Sequence, residues 1–172
     1  NIVGLPLDVE DASYSILFPE SIEGTLYSFN GGYNLATSLI EGEGYWLRFN
    51  EAGSTTITGT PTDELTISLN EGWNLISGIS TSINILDIED PDGIIIAGTV
   101  YEFTSGGYSN IENIEPGKGY WIRANNTGFI SLISNSELLP EECYIVPEVG
   151  PCDGICPTYY YNQDSNECEE FI

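Results

Sequence analysis

Residues 115 to 123 read EPGKGYWIR, a glycine-rich turn around Lys118 with Arg123 close behind. Glycine amides and an ammonium in this order bind phosphate, because together they offset the ligand's charge. Residues 40 to 48 read IEGEGYWLR, the same phrase with Glu43 where Lys118 stands. A carboxylate there repels a phosphate. What the two phrases share is the glycine pair and the Tyr-Trp-aliphatic-Arg run, and that reads as structure: a tight turn feeding a strand.

Acid and nucleophile chemistry is the other possibility that the residue types raise. The 172 residues hold 27 Asp and Glu, 3 Lys and Arg, and no histidine. Without histidine the commonest general base is absent, and so is any Ser-His or Cys-His nucleophile. Lys118 is the only lysine and corresponds to Glu43, so a Schiff-base role has no support. Paired carboxylates hydrolyse glycosides at defined separations, but among 27 acids proximity arises by chance. DIEDPDG (87–93) has the acidic density of a calcium loop without its ordered ligand spacing, so calcium stands only as an alternative to a solvated turn. No catalytic, cofactor-binding or metal-ligating residue is assigned, and the chain reads as non-enzymatic.

A net charge of −24 repels nucleic acid and anionic membrane surfaces. The longest apolar runs, such as IIIAGTVY, are too short to span a bilayer. With 41% hydrophobic and 12% aromatic residues the chain can bury a core. It begins at Asn1 and contains no methionine, and the expectation is a processed product or an excised fragment. Its four cysteines, Cys143, Cys152, Cys156 and Cys168, fall in one short segment. They are disulfide candidates, which implies an extracellular or cell-surface location. Zinc is the competing reading, against which stand the Cys-x3-Cys spacing and the lack of histidine.

These residues need elements to hold them, and the elements come in two copies. GTLYSFNGGYNLATSLIEGEGYWLRFNEAGSTTITG (24–59) aligns with GTVYEFTSGGYSNIENIEPGKGYWIRANNTGFISLIS (98–134) with one inserted residue. Upstream, NIVGLPL from Asn1 matches NLISGIS after Trp73. The period suits a small domain duplicated in tandem. Short runs rich in Val, Ile, Thr, Tyr and Phe between Gly and Asn turns predict strands. The expected fold is therefore all-β: two homologous sandwich or barrel-like modules, 1–60 and 61–137, then a cysteine-rich hairpin tail, 138–172. FNGGY, FTSGGY and SLNEGWNLISGI predict hairpins, the last turning at Asn70, Glu71 and Gly72. DASYSILF and STSINILDI predict brief helical turns. Tyr45, Trp46, Tyr120, Trp121 and Trp73 are the expected core of the repeat. The first copy lacks the arm that ELTISL gives the second, so NIVGLPL is expected to present an unpaired edge.

The two-copy region, with its Trp-Asn-Leu and Gly-x-Gly-Tyr-Trp phrases, resembles tandem modules of large secreted proteins of environmental bacteria. That resemblance implies a surface setting and assigns no chemistry. Residues 143–172 resemble the first half of a Kunitz-type protease inhibitor domain. The matching features are Cys143, the Gly150-Pro151-Cys152 turn, Tyr159 to Tyr161 with Asn162, and Cys168-Glu169-Glu170-Phe171. The resemblance implies a twisted hairpin around Asn162 and places Asp153 at the inhibitory position. An aspartate there is repelled by the acidic pocket of a trypsin-like protease. Cys156 adds a thiol to the same loop, and the chain reaches Ile172 ahead of the family's remaining framework cysteines.

The function expected from all this is a non-catalytic extracellular module, structural or adhesive, from a surface or filament-forming protein. Its expected partners are copies of itself, assembling head to tail, or neighbouring modules of a longer chain. The alternatives are a carbohydrate-binding module whose exposed Trp and Tyr stack on polysaccharide, and a Kunitz-type inhibitor fragment. Nucleic acid and membrane insertion are not expected.

Overall fold

In Gly119–Ala124 the side chains alternate, so Tyr120 and Ile122 turn to one side and Trp121 and Arg123 to the other. That alternation, repeated strand by strand, gives each sheet two different apolar faces. The computed structural model describes residues 1–134, and beyond them the backbone of Tyr159–Asn162 and Glu167–Glu170. The first part of the chain runs β1 (Ile2–Gly4), β2 (Leu7–Asp8), a helical turn α1 (Tyr14–Leu17), β3 (Tyr27–Phe29), β4 (Tyr33–Leu35), β5 (Gly44–Trp46) and β6 (Thr60–Pro61). It continues with β7 (Glu64–Leu69), β8 (Gly72–Ser77), β9 (Ile83–Asn84), a 3-10 turn (Ile85–Asp87), β10 (Tyr101–Thr104), β11 (Gly107–Asn110), β12 (Asn113–Ile114), β13 (Gly119–Ala124) and β14 (Gly128–Ile133). Both expected helical turns and both Gly-Gly hairpins, β3–β4 and β10–β11, are present.

The fold is all-β. Its two larger sheets have the same strand order, β1-β5-β3-β4 and β8-β13-β10-β11, and every pairing is antiparallel. Their registers correspond as well: Tyr27 faces Trp46 in one, and Tyr101 faces Trp121 in the other. Among the described residues no sheet closes on itself, so the layers are open rather than barrel-like.

Each four-stranded sheet covers its own core with its inward face. Val3, Leu5, Leu17, Leu26, Tyr45 and Leu47 form the first. Ile76, Tyr120 and Ile122 meet Ile67, Leu69, Ile130 and Leu132 in the second, where β7 and β14 make a facing two-stranded layer. A third cluster, of Ile2, Leu75 and Trp121 with Phe29, Trp46 and Tyr101 against it, lies on the outward faces and joins the two halves.

The joint between halves is nearly symmetric. Gly4 N–H donates to Gly117 O at 3.1 Å, and Ser77 N–H donates to Gly42 O at 3.0 Å, with corresponding residues exchanged. Val3 bridges Lys118 as Ile76 bridges Glu43. Phe29 meets Trp121 edge-on at 4.7 Å between ring centroids, and Phe103 meets Trp46 at 4.8 Å.

This joint explains the glycine pair. Gly42 and Gly117 have φ of +81° and +77°, the left-handed turn conformation that favours glycine. Gly44 and Gly119 serve close approach instead. A Cβ on Gly44 would lie 2.6 Å from Ile76 O, and one on Gly119 would lie 2.4 Å from Ile2 Cγ2. Both contacts are with the opposite half.

Two expectations are corrected. SLNEGWNLISGI is not a hydrogen-bonded hairpin: β7 pairs with β14 and β8 with β13, in different sheets. The side chain of Asn74 makes this corner possible. Its Oδ1 accepts from Asn70 N at 2.9 Å, and its Nδ2 donates to Asn70 O at 2.8 Å and Gly72 O at 3.2 Å. The amide thereby satisfies backbone groups at the turn, and the chain passes from one layer to the other. The edge of NIVGLPL is likewise not open. Leu7–Asp8 pairs with Thr60–Pro61, and the far side of Ile2–Gly4 is covered by Gly117 and Lys118.

Asn1–Ser134 forms one compact unit and Asn135–Ile172 another. In the second, β15 (Tyr159–Asn162) pairs antiparallel with β16 (Glu167–Glu170), Tyr161 opposite Cys168.

Candidate functional site

Alternation in β8, β10 and β13 brings aromatic side chains to one face, and the joint between halves adds Phe29 from β3. The result is a groove of 410 Å³ lined by Phe29, Trp73, Tyr101, Tyr108 and Trp121. Trp121 is its floor, buried to 8% exposure, with Trp73 edge-on at 6.2 Å. Trp73 and Tyr108 are its open walls, at 43% and 56% exposure. The Arg123 guanidinium lies 5.9 Å from the centre of the Trp73 ring, in reach of a cation–π contact. A second aromatic hollow, lined by Tyr27, Tyr33 and Trp46, stands at the corresponding place in the first half.

Exposed flat rings around a hollow offer stacking surface, and such exposed apolar patches mark binding sites more often than chance. The lining residues are all aromatic, so what this hollow presents is ring faces.

Of the residues singled out as core of the repeat, Tyr45 and Tyr120 are each 1% exposed and stand at matching positions on β5 and β13. Tyr45 OH donates to Glu43 Oε2 at 2.8 Å and accepts from Ile40 N at 3.1 Å. Burial, and then the Glu43 carboxylate, push its pKa well above the ordinary tyrosine value. Tyr120 OH accepts from Glu115 N at 2.8 Å, and burial pushes it up to about 12. Trp46 and Trp121 pack on Phe103 and Phe29 of the opposite half as well as on neighbours in their own, Tyr27 beside Trp46 and Trp73 and Tyr101 beside Trp121. Trp73 stands at the surface. Sequence reasoning does not single out Phe29, Tyr101 and Tyr108 as site residues, although alternation in YSF and YEF puts Phe29 on the face of Tyr27 and Tyr101 on the face of Phe103.

Other candidates have structural explanations. Lys118 pairs with Glu102 at 3.6 Å. In DIEDPDG, the two oxygens of Asp90 accept from Ile94 N and Ile95 N at 2.9 and 2.8 Å, so this carboxylate staples the loop. Among the described residues, no three Asp, Glu, His or Cys side chains converge as a metal site, and no helix is long and apolar enough to cross a membrane. Cys143, Cys152, Cys156 and Asp153 lie outside the described residues, and of Cys168 only the backbone in β16 is described.

Fold and groove together define an all-β unit of two like layers with an aromatic surface. Comparison with known proteins concerns the other unit. Residues 142–172 match the Kunitz/Bovine pancreatic trypsin inhibitor domain. Carboxypeptidase inhibitor SmCI of Sabellastarte magnifica is 52% identical over 33 residues, 19% of this chain and 20% of that protein. Kunitz-type serine protease inhibitor nigrescinin-1 of Cryptophis nigrescens is 48% identical over 33 residues, 19% of this chain and 40% of that one. Chelonianin of Caretta caretta is 53% identical over 30 residues, 17% of this chain and 27% of that protein. The chain therefore spans between 20% and 40% of the length of these relatives. No solved structure matches the chain.

Proposed function

We propose that this chain is a non-catalytic extracellular adhesive segment whose residues 1–134 hold polysaccharide in the aromatic groove. The observation that carries this is the convergence of Phe29, Trp73, Tyr101, Tyr108 and Trp121 from both halves on one open hollow. Sugar rings present flat arrays of C–H groups, which stack on such ring faces, and a neutral chain is not opposed by the charge of −24. The resemblance of the two-copy region to tandem modules of secreted bacterial proteins supports a surface setting.

Electrophoresis through gels containing neutral polysaccharides tests this. The native chain is expected to be retarded in at least one gel, while Trp73→Ala and Tyr108→Ala each restore free mobility. Both rings are exposed, so circular dichroism of the variants should match the native chain. Retardation that survives both substitutions, or none in any gel, would reject the groove as the site.

A second reading rests on the match of residues 142–172. We propose that this segment faces a protease, with Asp153 directing it away from trypsin-like pockets. The purified chain in excess is expected to leave trypsin at full rate and to slow a serine protease that cleaves after acidic residues. Full activity of both proteases would remove this reading.

A further inference from the structure

The aromatic groove is built twice. Tyr101, Tyr108 and Trp121 of its lining correspond to Tyr27, Tyr33 and Trp46, which line the hollow of the first half. The two hollows are of similar size, 410 and 330 Å³. Their outer walls match as well, with Tyr108 at 56% exposure and Tyr33 at 57%.

Drift between the halves separates packing from binding. At three buried positions the halves hold different aliphatic residues: Leu26 against Val100, Leu39 against Ile114, and Leu47 against Ile122. A core asks for apolar volume, so such identities drift. All five residues that follow Tyr33 differ from the five that follow Tyr108. Against that background the outward rings of the two halves are identical. The Phe and Trp rings make the joint, which is reason enough to keep them. Tyr33 and Tyr108 stand more than half in water, where retention of a ring points to a ligand.

The two hollows adjoin. Between ring centres, Phe29 lies 5.4 Å from Tyr33 in the one and 4.7 Å from Trp121 in the other. Phe103 lies likewise 4.8 Å from Trp46 and 5.1 Å from Tyr108. We infer that the hollows form one track for a single polysaccharide chain, with Tyr27, Tyr33 and Trp46 as its second half; this rests on the reading of the groove as a polysaccharide site. A segment that covers both hollows is held at two places at once, so the second contact adds to the first at little further loss of freedom. The exchanged contacts of the joint relate the hollows by a two-fold, so the chain meets the second one in the opposite direction. Stacking tolerates that reversal, because a sugar offers its C–H groups to an aromatic face whichever way the chain runs. The occupant is a neutral chain, since 27 carboxylates repel a polyanion.

The test uses the whole chain in gels containing hydroxyethyl cellulose, mixed-linkage β-glucan, xyloglucan or galactomannan, and then tri- and hexasaccharides cut from the polymer that retards it. Tyr27→Ala and Tyr33→Ala are each expected to weaken the apparent affinity in the gel by about tenfold or more, as loss of one of two linked contacts does. In calorimetry the hexasaccharide is expected to bind the native chain about tenfold or more tighter than the trisaccharide. Tyr33→Ala should erase that gain and leave trisaccharide binding to the second half's groove in place. Tyr33 is exposed, so the variant should keep the native circular dichroism. Native retardation of Tyr27→Ala and Tyr33→Ala, with Trp73→Ala running free, would overturn the track and leave the groove standing. Equal weakening of both oligosaccharides by Tyr33→Ala would overturn it too, by showing that this ring acts only through Phe29. No retardation of the native chain in any gel would reject groove and track together.

Discussion

Trp121→Ala is expected to lower the stability of Asn1–Ser134 by about 3–5 kcal/mol, the usual cost of truncating a large buried aromatic side chain. Trp121 is 8% exposed and sits in the cluster that joins the halves, edge-on to Phe29 and Trp73. Its indole N–H is buried with no hydrogen-bond partner among the described residues, which offsets part of that loss when the ring is removed. Urea unfolding followed by tyrosine and tryptophan fluorescence measures the change. Because the ring is shared between halves, the variant should still unfold in one transition at a lower midpoint. Combined with Phe29→Ala, the cost should fall short of the sum by about 0.5–1.5 kcal/mol, the coupling of an edge-to-face pair. Strict additivity of the two would show that the rings do not interact.

A second large effect is expected in alkali. Tyr45 and Tyr120 are buried with raised pKa values, while in the unfolded chain both titrate near the ordinary value of about 10. Each group therefore contributes stability that is fully present below pH 10 and is lost as pH rises toward its folded value, which for Tyr120 is about 12. Over that window each tyrosine should remove about 1.4 kcal/mol per pH unit. Urea midpoints measured from neutral pH to pH 12 should fall steeply only at the alkaline end, in step with the appearance of phenolate absorbance. Tyr45→Phe, which also loses the bonds to Ile40 and Glu43, should be less stable at neutral pH but show roughly half the alkaline slope. A slope unchanged by that substitution would mean that other groups govern the alkaline transition.

The aromatic groove was partly legible in advance. Alternation in GYWIRA put Trp121 and Arg123 on one face, and the Trp-Asn-Leu phrase marked β8. That the groove needs Phe29 could not be seen, because Phe29 reaches Trp121 only through the contact between halves. Trp73 looked like a core residue for its size, yet β8 buries Asn74 and Ile76 on its inward side and leaves Trp73 outward. The matched segment 142–172 was recognisable from its cysteine and tyrosine spacing, which is a local pattern.

By itself the sequence of residues 1–134 determined the all-β class, the matching strands of the two halves, the hairpins at Gly-Gly and the two helical turns. These follow from alternation and from glycine's tolerance of positive φ, which act over a few neighbouring residues. Only the tertiary structure decided that β7 lies on β14 rather than on β8, since Asn74 satisfies the corner and frees both strands to choose distant partners. It also decided why Gly44 and Gly119 are glycines, and that residues 53–58 enter no strand ladder among the described residues. Such facts depend on which surfaces meet across the joint, and side-chain period along one strand carries no record of what approaches from the other half.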